Sequence, residues 1–264
     1  MKRWLLTGVL LWCSLHASAQ QGGFCGLTNV AYKSGEKLTY KVFYNVSFMY
    51  VGAGEVTFTT SLEKMGEVPC YHVVGEGHTY HSYDWIFRVR DRYETFIDTS
   101  TMLPVRFIRN VSEGSYRKYN TVTFNHSSRT AVSRNGTFEV PACVQDVLSA
   151  IYYARNIDFN QYKTGDKIPF SMFLDDEVYH IYIRYLGKTE VTTRYGKFKA
   201  VKFSPLLIKG TIFEGGEQMT VWVSDDENKV PLRINSPITV GSIKVDLIGY
   251  KNLRHPFSSL ISKK

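Results

Sequence analysis

One stretch of this chain, Val140 to Arg155 (VPACVQDVLSAIYYAR), carries a sustained helical period, while most of the rest alternates with the period of a strand. Val144, Val147, Leu148, Ile151 and Ala154 recur at spacings of three and four and so share a face, which Cys143 and Ala150 widen. Pro141 suits a first helical position, where its missing N–H costs nothing. Asp146 near the start and Arg155 at the end complement the helix dipole, and Asn156 suits a left-handed stop. The spacing predicts a helix over about 141–155. Only Gln145, Asp146 and Ser149 are clearly polar inside it, so most of its circumference needs cover. The expected fold is mainly β: one large curved antiparallel sheet, a half-barrel or open barrel, wrapped around this single main α-helix. Two domains split at the helix are the alternative.

The strands are read from alternation and turn chemistry. Leu38, Tyr40, Val42 and Tyr44 give the first, and segments 52–60, 71–77, 83–96 and 103–111 follow. The cluster Asp98–Thr101 turns the fourth into the fifth, and Asn135-Gly136 marks a hairpin. After the helix, Asp175-Asp176-Glu177 and Ser224–Asn228 read as further turns, with a last strand at 240–250 and a frayed tail to Lys264. About a dozen strands are joined by short turns, with no linker or low-complexity segment.

The amino terminus has the pattern of a secretory signal. Lys2 and Arg3 precede an apolar run from Trp4 to Leu15, and Ala17-Ser18-Ala19 is a small-residue cleavage site. The run is shorter than the ~20 residues of a membrane span. Bulky Trp12 before Cys13 argues against lipid attachment there. Cutting after Ala19 leaves 245 of the 264 residues, expected to form a single β-rich domain over 20–264 with no transmembrane segment. The formal charge of +8 falls to +6 without Lys2 and Arg3. Its basic residues are scattered, which fits solubility or weak attraction to an anionic envelope surface and excludes a nucleic-acid partner. Of the cysteines remaining after cleavage, Cys143 opens the helix and Cys25 lies in an amino-terminal segment that must be tied down. This favours a Cys25–Cys143 disulfide with Cys70 left over; three reduced, buried thiols are the alternative.

Little in the sequence points to chemistry. His78, His81 and Asp84 would cluster on a helix, but their segment lacks helical periodicity, and an odd spacing of three in a strand sends the histidines to opposite faces. No metal site and no cofactor is expected. The acidic turns lack calcium-loop spacing, the glycine clusters do not lead into helices, and no GxSxG or HExxH motif occurs. Asp146, Ser149 and Tyr153 form one polar stripe on the helix, with Arg155 at its end. The stripe is the candidate binding surface, or simply the helix's wet face. A hairpin turning about Ser100 would set Asp91 opposite Arg109, a structural ion pair fixing register.

Four stretches together resemble an exported bacterial family, domain of unknown function 3108 in its Bacteroidetes form: Gly35–Tyr40, Val89–Tyr93, Gln145–Arg155 and Trp222–Leu232. The resemblance implies a Gram-negative envelope, in the periplasm or at the outer membrane, and implies no activity. The expected role is a non-enzymatic binding or carrier protein holding an apolar or glycan ligand, a lipid for example, in the concavity of its sheet. The alternatives are a hydrolase or other envelope enzyme using the helix stripe, and a structural or assembly partner with no ligand.

Overall fold

The structure is a computed structural model that describes residues 25–46, 49–209 and 215–264. The expected leader 1–19 and Cys13 lie outside the described residues. One continuous antiparallel sheet of fifteen strands dominates it, with a single α-helix, as the sequence pattern requires.

The first eight strands are β1 (Lys37–Val46), β2 (Met49–Met65), β3 (Val68–Thr79), β4 (Arg90–Asp98), β5 (Pro104–Glu113), β6 (Tyr116–Asn125), β7 (Thr130–Ser133) and β8 (Gly136–Glu139). They form a meander spreading outward from β1. After the helix α1 (Val147–Ala154) come β9 (Lys167–Leu174), β10 (Glu177–Thr192), β11 (Gly196–Pro205), β12 (Thr220–Ser224), β13 (Pro231–Pro237) and β14 (Ser242–Lys251). These meander inward from β9 until β14 pairs with β1. β15 (Leu260–Lys263) pairs with the start of β11, so the tail read as frayed is a strand.

Because the strands alternate in direction, the β1–β2, β3–β4, β5–β6, β7–β8, β9–β10 and β13–β14 connections share one rim. Curvature is built from bulges, as between Val42 and Phe43, and from close backbone approach. A Cβ at Gly54 would lie 2.2 Å from the His78 carbonyl oxygen, so only glycine lets β2 and β3 come together there.

The helix joins β8 to β9, the two ends of the sheet, and packs on β4 and β9. It is shorter than the period suggests. Asp146 is its N-cap, so Pro141, expected at the first helical position, lies outside it. Cys143 has φ +58, incompatible with a helix, and Gln145 instead pairs in parallel with Met172 of β9. The Gln145 N–H donates to the Ser171 carbonyl and the Phe173 N–H donates to the Gln145 carbonyl, each at 2.9 Å. Residues 140–145 thus lie along the seam between the sheet's two ends, with the Val140 N–H bonded to Arg129 O. Leu148, Tyr152 and Tyr153 face a core containing Phe107, Phe124 and Phe173, whereas Ile151, expected inside, is 40% exposed. Segment 83–89, expected to begin the fourth strand, is instead a loop reaching the isolated bridge at Val89.

Candidate functional site

The polar stripe of the helix faces inward. The Asp146 side chain caps the helix by accepting from the Leu148 and Ser149 N–H groups, both at 2.8 Å, while the Asp146 N–H donates to Ser149 Oγ at 2.9 Å. Its other oxygen accepts from Thr95 Oγ1 at 2.6 Å. Asp146, Ser149 and Tyr153 are all fully buried. Burial outweighs these hydrogen bonds and lifts the Asp146 carboxyl to a pKa of about 6. Tyr153 Oη accepts from the Leu27 N–H at 3.0 Å, fastening the segment that enters β1. The stripe is therefore neither a pocket lining nor a wet face: its polar groups hold the helix to β4 and to the amino-terminal segment.

Arg155 completes the inside of the molecule. Its guanidinium grips Glu36 through Nη1 and Nη2 at 2.5 and 2.9 Å, and Nε donates to the Asn228 carbonyl at 3.1 Å. The rings of Tyr32 and Tyr152 lie against it, centroids 5.3 and 5.2 Å away. Burial alone would lower the Arg155 pKa, but Glu36 more than offsets it and the group stays cationic. Neither Glu36 nor Asn228 is signalled in the sequence as its partner; Glu36 reads only as the polar start of a strand, 119 positions away.

Asp91 and Arg109 do not form an ion pair. The turn pairs Asp98 with Leu103, one residue off a turn centred on Ser100, and a bulge between Phe96 and Ile97 adds one more, so Tyr93 faces Arg109 and Arg92 faces Asn110. Asp91 instead accepts from the Ser112 N–H at 2.9 Å. Arg109 reaches across the seam to Asp175 in the β9–β10 turn, which Lys118 also contacts at 2.5 Å. Beside it, Asn135 Nδ2 donates to Asp176 at 2.5 Å. Both turn residues have positive φ, +53 and +66, the two-residue hairpin geometry that aspartate tolerates. A polar cavity of about 480 Å³ opens at this clasp, among Lys118, Arg134, Asn135 and the two aspartates.

Lower along the seam lies a second cavity, about 370 Å³ and open to solvent. Its walls are the Cys25–Cys143 disulfide, Phe170, Ile181 and Tyr182, with Ser171 and His180 as the polar pair. Ser171 Oγ lies 3.0 Å from His180 Nδ1, on directly opposed positions of β9 and β10. Among the described residues Cys70 is the free cysteine; it is buried, and burial raises its thiol pKa to about 11.

Among the described residues, no group of three or more histidine, cysteine or carboxylate side chains could hold a metal. Asp84 is committed to Thr79 and Arg90, whose hydrogen bonds pull its carboxyl down to about 2. Of the expected histidines only His81 touches it, at 3.1 Å.

The family model described as "Protein of unknown function (DUF3108)" matches residues 39–248. The chain belongs to the DUF3108 family. A search of curated proteins finds no match to this DUF3108 chain. Among solved structures it is similar to a β-barrel-like protein of domain of unknown function DUF1849 from Brucella abortus, with a TM-score of 0.56 at 10% identity. That likeness covers 84% of this chain and 99% of the other and is one of fold. Weaker likenesses are to a candidate lipoprotein from Parabacteroides distasonis (TM-score 0.39, 12% identity, covering 87% and 99%) and to a candidate exported protein with a YmcC-like fold from Bacteroides fragilis (0.36, 12%, 86% and 100%). No described helix of the DUF3108 chain is long and apolar enough to cross a membrane.

Proposed function

We propose that this DUF3108 protein is an exported, non-enzymatic binding protein of a Gram-negative envelope, and that it takes an amphiphile with a short apolar chain at the seam cavity. The carrying observation is the 370 Å³ cavity itself: an apolar wall of Phe170, Ile181 and Tyr182 with a single polar pair, Ser171 and His180, open to solvent. The concavity of the sheet, where a ligand was expected, is filled by α1 and by interlocking aromatics such as Phe124 against Phe173 and Phe159 against Phe203. Export is supported by the signal-like amino terminus and by a disulfide between residues 118 positions apart, a bond that persists in oxidising compartments.

An enzyme working through the helix stripe has no access to substrate, since Asp146, Ser149 and Tyr153 are sealed inside. Among the described residues, no carboxylate bonds to His180 to orient its imidazole as catalysis by the Ser171–His180 pair would need. The test is binding of the apolar fluorophore N-phenyl-1-naphthylamine to purified protein. Wild type should bind and enhance its emission. Ser171→Trp, which fills the cavity mouth, should weaken binding by about tenfold through loss of the apolar contact area, with unchanged thermal stability. Equal binding by both proteins would remove the seam as the site.

A further inference from the structure

The β3–β4 connection presents three consecutive large apolar side chains to solvent: Trp85 is 82% exposed, Ile86 62% and Phe87 54%. Such a run on a surface loop is unfavourable in water unless something covers it. The loop is also a built object. A short 3₁₀ turn at His81–Tyr83 leads into it, and the Ile86 and Phe87 N–H groups both donate to the Tyr83 carbonyl, at 2.9 and 3.1 Å. Trp85 Nε1 donates to the Ser82 carbonyl at 3.0 Å, so the indole is held outward with its polar atom already satisfied. At the base, Asp84 is clamped by Thr79 Oγ1 at 2.7 Å and by Arg90 Nη2 at 2.6 Å, which neutralises the loop's own acid.

The surroundings are cationic and aromatic. Arg88 is exposed; its carbonyl accepts from the Gly114 N–H at 2.8 Å, and its guanidinium has no ion pair or hydrogen bond among the described residues. Phe87 rests on Gly114 of the β5–β6 turn, where a Cβ would come within 2.8 Å of the ring and φ is +56. That turn brings Tyr116, 49% exposed, and Arg117, whose guanidinium donates to backbone carbonyls and to no carboxylate. Tyr80, at the entry to the loop, carries Lys41 over its ring at 5.4 Å. The acids nearby are Asp84, held by Arg90; Glu113 and Asp91, which share a proton-favouring contact and are partly buried; and Glu55 beside Tyr80.

Exposed Trp, Ile and Phe at the tip, with unpaired arginines behind them, match the layering of a bilayer interface: acyl chains and glycerol first, then phosphates. We propose that this loop is a membrane-interface anchor, in which Trp85, Ile86 and Phe87 enter the headgroup region of an anionic phospholipid bilayer while Arg88 and Arg117 face its phosphates. The anchor lies on the rim, with Arg117 next to Lys118 of the clasp, and it does not depend on what the lower seam cavity, lined by Phe170, Ser171 and His180, binds.

Flotation of purified protein with phosphatidylglycerol–phosphatidylcholine vesicles tests it, with phosphatidylcholine alone as control. Wild type should float with the anionic vesicles and much less with the neutral ones, and rising salt should release it. Trp85→Ser with Phe87→Ser should cut the bound fraction by about tenfold or more, because most of the inserted apolar area is gone. Its melting temperature should not change, since these side chains are exposed. Arg88→Gln with Arg117→Gln should lower binding several-fold and flatten the salt dependence. In a chain beginning at Gln20 and carrying Trp222→Phe, which leaves Trp85 as its one tryptophan, the emission should shift to the blue on adding anionic vesicles. Absence of flotation, or equal binding by the serine variant, overturns the proposal. So does photo-cross-linking from position 85 that captures a protein partner while vesicles stay unbound.

Discussion

The chain is held shut at two places by the same pair of chemical groups, guanidinium and carboxylate, and the two closures differ in everything but that. At the carboxyl end of α1, the Arg155 and Glu36 side chains are 2% and 0% exposed, joined through two hydrogen bonds and walled in by tyrosine rings. At the seam, Asp175 is 40% exposed and shared between Arg109 and Lys118. Water reaches Asp175 and Lys118 in the second set, although the Arg109 side chain there is only 11% exposed, whereas both partners of the first are sealed off. The sequence distance bridged is long in both, 119 and 66 positions, so chain topology does not separate them; burial does. A buried pair is an all-or-nothing contact, because removing one partner strands the other in a medium that cannot solvate it. An exposed pair can be lost piecemeal.

The sharpest way to break the comparison is Arg155→Met, which strands Glu36. The expected cost is ~3–5 kcal/mol, read as a collapse of the urea midpoint or loss of soluble protein. Glu36→Gln combined with Arg155→Met should be less harmful than Arg155→Met alone, by non-additivity in a double-mutant cycle. Strict additivity would mean that the two groups are not coupled.

Asp146 probes the same interior by pH. Its carboxyl titrates near 6 when folded against the ordinary value of 3.8, so the folded state holds the proton more tightly. Stability from this group is full below about pH 4, falls as pH rises, and is lost above about 6, a change of ~3 kcal/mol. Asp146→Asn keeps an acceptor for the Leu148 and Ser149 N–H groups and should flatten this slope between pH 4 and 6. An unchanged slope would assign it to other groups. The smallest effect is expected at the clasp: Asp175→Asn should cost no more than ~1 kcal/mol in low salt and nearly nothing in 0.5 M salt. A cost as large as that of Arg155→Met would erase the distinction between the two closures.

The architecture was legible because alternation survives in single strands, and a lone helical period among them leaves few arrangements. Helix bounds were not. Val144 keeps the three–four spacing with Val147 and Leu148 while sitting in an extended segment, so periodicity extends past the true N-cap. Side-chain partners were the least legible. A turn centred on Ser100 suggested one register for β4 and β5; the turn lies one residue off that centre and the bulge at Phe96 adds another, which takes Arg109 from Asp91 to a hairpin on the far side of the seam. Polar residues on α1 looked like an exposed stripe because their partners, Thr95, Leu27 and Glu36, are remote in sequence. Trp85, Ile86 and Phe87 looked like a strand because apolar composition alone cannot distinguish a buried run from a displayed one.

The pairing of β1 with β14 has a kinetic consequence. Lys37 lies opposite Lys251, so the edge of β1 facing β14 has no partner until nearly the whole chain exists. The strands β1 to β8 zip by local hairpins, but this edge stays open through translation, a template for pairing with other chains. Closing it requires a loop of about two hundred residues, the kind of non-local contact that slows folding. The rate-limiting event in making this molecule should therefore be the meeting of its first and fourteenth strands, and crowded, half-made chains should be most prone to aggregate just before it.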